Sequence, residues 1–324
     1  MNTGEGTCLF PYHLGKIRKV IYGILIVYLF LFIFFPSIFK EAIYTSFIQQ
    51  IFWFGLSLYA YYSSDKERFR NRDKIGKIQM VVIFTIIYLM VYFALGLAFG
   101  YTKSPYSHTL SSMLSNIWVF IPVIIFQEYI RAVLVRFTKR NKPLVIGIFL
   151  LFSLIELNYG SLETSFATRE SSFKYVSSTL LPLLTRNALL TYFAYVCDYW
   201  PGLIFRVAVM LANILLPIFP DLDWFVTGLL ELSTYIIMFI SVNYMNDLSK
   251  RITTRTSRKP QRTSNPKVTI PLLTLLLVFV CFVAGFFTYR PIAIVSDSMV
   301  PKFARGDAVV VKKLSEKEKE ELEV

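Results

Sequence analysis

The chain has 324 residues, of which 55% are hydrophobic and only 17% charged, with a formal net charge of +13. A mean hydropathy of +0.54 lies outside the range of ordinary soluble domains. The excess of Lys and Arg is unaccompanied by any helix-turn-helix, zinc-finger or RNA-binding pattern and lies between apolar runs, so a nucleic-acid partner is set aside and the lipid bilayer is the expected one.

A membrane-crossing helix needs about 20 mostly apolar residues. In chain order, nine runs qualify: Val20 to Phe39, Tyr44 to Tyr62, Met80 to Gly100, Leu114 to Val135, Leu144 to Tyr159, Thr179 to Cys197, Leu203 to Phe219, Trp224 to Met245 and Val268 to Tyr289. The fifth and seventh are short. The expected fold is therefore a mainly α-helical membrane protein with about nine spans, followed by a short β-prone extracytoplasmic segment. Residues 1–245 form an eight-span bundle, 246–267 a basic cytoplasmic linker, 268–289 the ninth span and 290–324 the segment beyond it.

Lys and Arg in short loops hold their side in the cytoplasm. The segment around Lys16 to Lys19, and those from Lys66 to Lys77, Arg136 to Lys142 and Lys250 to Lys267, together carry twenty Lys and Arg, whereas the alternate loops carry four. This asymmetry puts the N-terminus inside and everything after Tyr289 outside. The first span has no small-residue cleavage site and reads as an anchor.

Cys8, Cys197 and Cys281 are too far apart to suggest a disulfide framework or a metal site, and His13 and His108 lack ligating company. No metal and no cofactor is expected. Six charged residues fall inside apolar runs, Glu128, Arg131, Glu156, Arg186, Arg206 and Glu231, and intramembrane charge is costly enough to make each a candidate. Glu128 and Arg131 are three apart on one helix face and can pair. The run Gln127-Glu128-Tyr-Ile-Arg131 is similar to the Glu-Glu-x-x-x-Arg box of CAAX-type intramembrane proteases, but its spacing differs and no histidine follows, so a structural ion pair is the reading adopted.

The last segment runs Pro291-Ile-Ala-Ile-Val-Ser296-Asp-Ser298-Met299-Val-Pro301-Lys-Phe-Ala-Arg-Gly306-Asp307-Ala-Val-Val-Val311. Its pattern is a β-prone run, a polar turn closed by proline, a Gly-Asp turn and a second β-branched run, predicting two short strands around a serine-bearing loop. These residues resemble the type I signal peptidases, whose Ser-x-Ser-Met-x-Pro box precedes a Gly-Asp-x-Val-x-Val strand. Asp297, Val300 and Lys302 depart from the residues most frequent there.

The resemblance implies a membrane serine endopeptidase that cleaves signal peptides from secreted precursors at the outer membrane face, in contact with the translocation machinery. It makes Ser298 the nucleophile, Ser296 and the Ser298 backbone N–H the oxyanion donors, Met299 a cleft residue, Pro301 a loop constraint, and Gly306 with Asp307 the turn into the next strand. The lysine or histidine base of such enzymes lies further along than this sequence runs, and none of Lys302, Lys312, Lys313, Lys317 or Lys319 sits in a stretch apolar enough to serve. The catalytic segment is thus expected to be incomplete and inactive as it stands. The alternative is a non-catalytic membrane transport or scaffold protein with a vestigial peptidase stub.

Overall fold

The computed structural model describes residues 11–35, 38, 41–63, 74–138, 141–255, 271, 274, 289–294 and 308–312. Helix dominates them. In order they form α1 (Pro11–Phe34), a π-helical turn (Tyr44–Ile48) leading into α2 (Gln49–Ser63), α3 (Lys74–Phe99), β1 (Tyr101–Lys103), α4 (Leu110–Phe137) and α5 (Lys142–Ile155). The short α6 (Leu162–Ser165) and α7 (Arg169–Tyr175) follow, then a second π-helical turn (Val176–Leu180) that enters α8 (Leu181–Val196). The remaining elements are α9 (Trp200–Leu215), β2 (Ile218–Pro220), α10 (Trp224–Arg255), β3 (Tyr289–Ala293) and β4 (Ala308–Lys312).

The nine-span expectation is corrected. Among the described residues, three helices are long and apolar enough to cross a membrane: α3, α4 and residues Trp224–Asn246 of α10. Lys19–Phe34, α5 and α9 are apolar but shorter. At 1.5 Å of rise per residue, the 14 residues of α5 reach about 21 Å, well short of a hydrocarbon core of about 30 Å. Hydropathy runs overcount here because they register composition and not helix breaks. The fifth run extends past the end of α5 into the turn at Asn158–Ser161 and the seventh past the end of α9 into β2, while the second holds a π-helical turn that leads without a break into the 15-residue α2. Most of the ninth run, Val268 to Tyr289, lies outside the described residues.

Helix α4 is the centre of the bundle, packed on α2, α8, α9 and α5. Half of its apolar window is buried, against 22% for α10, so α4 is the core helix and α10 a peripheral one. One core joins α1, α2, α4 and α5 around Trp53, Ile130, Leu134 and Phe152; others join α3 and α9, and α3, α8, α9 and α10. Outward-facing Ile83, Ile87 and Met90 on α3, Leu114, Trp118 and Ile125 on α4, and Ile236, Ile237 and Ile240 on α10 leave apolar surface suited to lipid.

The bundle has two unlike ends. At one, Asp198 joins Arg136 at 3.0 Å and Lys74 at 3.5 Å, and Lys77 Nζ donates to Asn246 Oδ1 at 3.1 Å, so the start of α3 meets the ends of α4, α8 and the membrane-length part of α10. At the other, β1 and β2 pair antiparallel, with Thr102 opposite Phe219. There His108 Nε2 bonds the Leu216 carbonyl at 2.9 Å. β3 packs against β1 and β2 at this second end.

Candidate functional site

Ser296, Ser298, Met299, Pro301, Gly306 and Asp307 all lie outside the described residues. Their flanks do not. β3 and β4 pair antiparallel from Tyr289 opposite Lys312 to Ala293 opposite Ala308, so residues 294–307 are a connection whose two ends are held together by a strand ladder. Ile294, the first residue of that connection, is buried. β4 carries the β-branched run Val309-Val-Val311, whose side chains suit a pleated surface, and β3 the β-prone run that begins at Tyr289.

Five of the six charged residues that stand in the apolar runs converge in the middle of the bundle. Glu156 ends α5, where a carboxylate faces the negative end of the helix dipole and gains from nearby cations. Arg186 Nη2 and Arg206 Nη2 each reach it at 2.9 Å, Asn187 Nδ2 donates to it at 2.8 Å, and Arg131 Nη2 stands at 3.7 Å. Glu128 takes Arg206 Nη1 at 2.7 Å and Arg131 Nη2 at 3.4 Å. The sequence-adjacent Glu128–Arg131 pair is real, but the tighter partner is Arg206 on another helix.

Arg131 is fully buried and anchored further by Asn187 Oδ1 at 2.8 Å, Thr191 Oγ1 at 3.3 Å and the Phe152 ring, 4.3 Å from its Cζ. Room for the Glu128 carboxylate comes from Gly202, where an added Cβ would stand 2.9 Å from Oε2. Gln127 accepts from both terminal nitrogens of Arg206. Gln127, Asn187 and Thr191 escape sequence reading because an uncharged polar residue in an apolar helix gives no signal until its partner is known.

Beside the cluster lies a cavity of about 250 Å³ bounded by α3, α4, α8, α9 and α10. Arg186 and Arg206 line one part of it. Glu231, the sixth charged residue, lines it from α10 and accepts a hydrogen bond from Tyr235 at 3.4 Å. Among the described residues no three His, Cys, Asp or Glu side chains gather as a metal site would require. The cluster's chemistry is that of guanidinium donors.

Among the described residues, these features define a helical bundle with three helices of membrane-crossing length, an internal ion network and a strand hairpin at one end. Comparison of the chain with protein-family models, curated proteins and solved structures finds no match.

Proposed function

We propose that this chain is the membrane-bound, nucleophile-bearing part of a signal-peptidase-type serine endopeptidase, with Ser298 as nucleophile. What supports the reading is the Ser296-Asp-Ser298-Met-Val-Pro301 box followed by Gly306-Asp307, carried between the two strands of a hairpin. Acyl transfer needs a serine hydroxyl and its oxyanion donors held in one geometry. Ser298 Oγ adds to the scissile carbonyl, its proton passes to a base, and the oxyanion is met by the Ser296 hydroxyl and the Ser298 N–H. Collapse breaks the C–N bond as the base passes that proton to the leaving amine, and water, deprotonated by the same base, then hydrolyses the acyl-enzyme and restores the Ser298 hydroxyl. Signal-peptide-bearing precursors are the substrates, presented by the translocation machinery.

The reading assigns the base to none of the 324 residues, so it ascribes activity to this chain together with further sequence or a partner. It also orients the bundle. The end carrying Lys74, Lys77, Arg136 and Lys142 faces the cytoplasm by the positive-inside rule, and the hairpin end faces out.

The test is cleavage of a reporter precursor in membranes by the natural reading frame that contains this chain, against its Ser298→Ala variant. The expected loss is roughly 10⁴-fold or more. Cleavage that survives Ser298→Ala, or a wild type that never cleaves, refutes the proposal and leaves the rival reading, a non-catalytic membrane transport or scaffold protein.

A further inference from the structure

Arg131, Arg186 and Arg206 make direct ion pairs with two carboxylates, Glu128 and Glu156. A third carboxylate, Glu231, acts on Arg186 from across the neighbouring cavity without direct contact. The three arginines are not equivalent. Arg131 is sealed, and Arg206 divides its terminal nitrogens between Glu128 and Glu156 while 13% exposed. Arg186 commits only Nη2 to Glu156, keeps a third of its side chain accessible, and has a buried Nε with no hydrogen-bond partner among the described residues. It also lines the cavity.

The cavity's other lining is largely apolar and aromatic, including Tyr88, Tyr92 and Phe205. Glu231 is the one carboxylate lining it; it makes no direct ion pair among the described residues and acts on Arg186 only from a distance. A guanidinium with uncommitted donors at one wall and an apolar remainder is the arrangement that holds one anionic group by its oxygens and its stem by packing. At about 250 Å³ the space lies near the small end of ligand pockets, which begin at roughly 300 Å³.

We propose that this cavity is a binding site for a single oxyanion group, carboxylate or phosphate, carried on a short apolar stem, with Arg186 as its principal ligand and Arg206 beside it. Glu231 acts against the anion and limits its affinity. The site is separate from the hairpin and does not depend on the peptidase reading. Its occupant comes either from membrane lipid, as an anionic headgroup with the first part of its chain, or from solution, as a small amphipathic acid.

The experiment is calorimetric titration of the full chain in neutral maltoside detergent with octyl phosphate, with inorganic phosphate and octyl glucoside as the stemless and uncharged probes. Octyl phosphate should bind one per chain and octyl glucoside should not compete. Arg186→Gln should weaken binding about tenfold to a hundredfold, as loss of a charge-assisted hydrogen bond does, with Arg186→Lys recovering part of it. Glu231→Gln should strengthen binding several-fold, an effect that mere damage to the fold does not produce. Competition by short-chain phosphatidylglycerol identifies the lipid source, and its failure to compete identifies the soluble one. Equal binding of octyl glucoside, or affinity unmoved by both Arg186→Gln and Glu231→Gln, overturns the proposal.

Discussion

Replacing Glu156 by Gln removes one charge and almost no volume, so its effect isolates the electrostatics of the cluster. In the native bundle Glu156 is shared by Arg186 and Arg206 at 2.9 Å and by Arg131 at 3.7 Å. Glutamine still offers an oxygen to Asn187, but Arg186 then loses its one direct ion pair and Arg131 and Arg206 are left to share Glu128. Leaving a buried charge uncompensated costs about 3–5 kcal/mol. The internal control is Asp198→Asn at the basic end. There Lys74 and Arg136 are 34% and 27% exposed, and screened pairs of this kind contribute about 0–1 kcal/mol. The asparagine side chain in this variant keeps the acceptor that holds the Tyr199 N–H, and asparagine tolerates the positive φ of 109° that Asp198 adopts at this turn. The assay is reversible unfolding of the purified chain in mixed micelles at increasing detergent denaturant, at low and high salt. Glu156→Gln should cost several kcal/mol independently of salt, and Asp198→Asn should cost little and less at high salt. A loss below about 1 kcal/mol for Glu156→Gln, or equal losses at the two sites, refutes a buried network of this strength.

Two glycines sit where helices come closest. In Gly202→Ala the new methyl would stand 2.9 Å from Glu128 Oε2 and 3.1 Å from Leu190 Cδ2, and in Gly228→Ala 2.8 Å from the Ser177 carbonyl oxygen. Each should destabilise by about 1–3 kcal/mol in the same unfolding assay, and Gly228→Ala should be the less forgiving because its obstacle is backbone. Orientation is tested by single cysteines in a chain freed of its native ones: Lys103→Cys should react with an impermeant maleimide on intact cells, and Lys142→Cys only after permeabilisation. The reverse pattern would invert the proposed topology.

Much of the scaffold is legible from residue type. α3, α4 and α10 are long apolar runs with few breaks, and Thr109 ahead of Leu110 supplies the side-chain cap that starts α4. The failures share one cause. Hydropathy windows join apolar residues across turns they cannot sense, such as Asn158–Ser161, and so promote the 14-residue α5 and 16-residue α9 to full spans. The charged residues are each visible for the same reason that their partners are not. A Glu in an apolar run stands out, and Arg131 three residues on is a local partner, but the 2.7 Å contact from Glu128 to Arg206 closes over 78 residues and exists only once α4 and α9 have packed. The hairpin is readable because β-prone runs and the Gly306-Asp307 turn signal between them are local, whereas the packing of β3 on β1 and β2 is not.

That the network exists at all argues for a role beyond cohesion. An apolar core of equal volume would be as stable or more so, since taking five charges out of water costs more than generic packing. In lipid, each such residue opposes insertion of its own helix by about 2.5–3.5 kcal/mol. Two things follow from the network that an apolar core would not supply. Arg206 meets Glu128 and Glu156 together only in one register of α9 against α4 and α5, so a slipped helix strands charge and is disfavoured. The second is an arginine only partly committed to its carboxylate: Arg186, the most accessible of the three, pairs through Nη2 alone and borders the cavity. Cohesion alone would favour a third carboxylate in contact with Arg186. Glu231 instead acts on Arg186 from across the cavity without direct contact, which leaves between them the space that the proposed anion would enter.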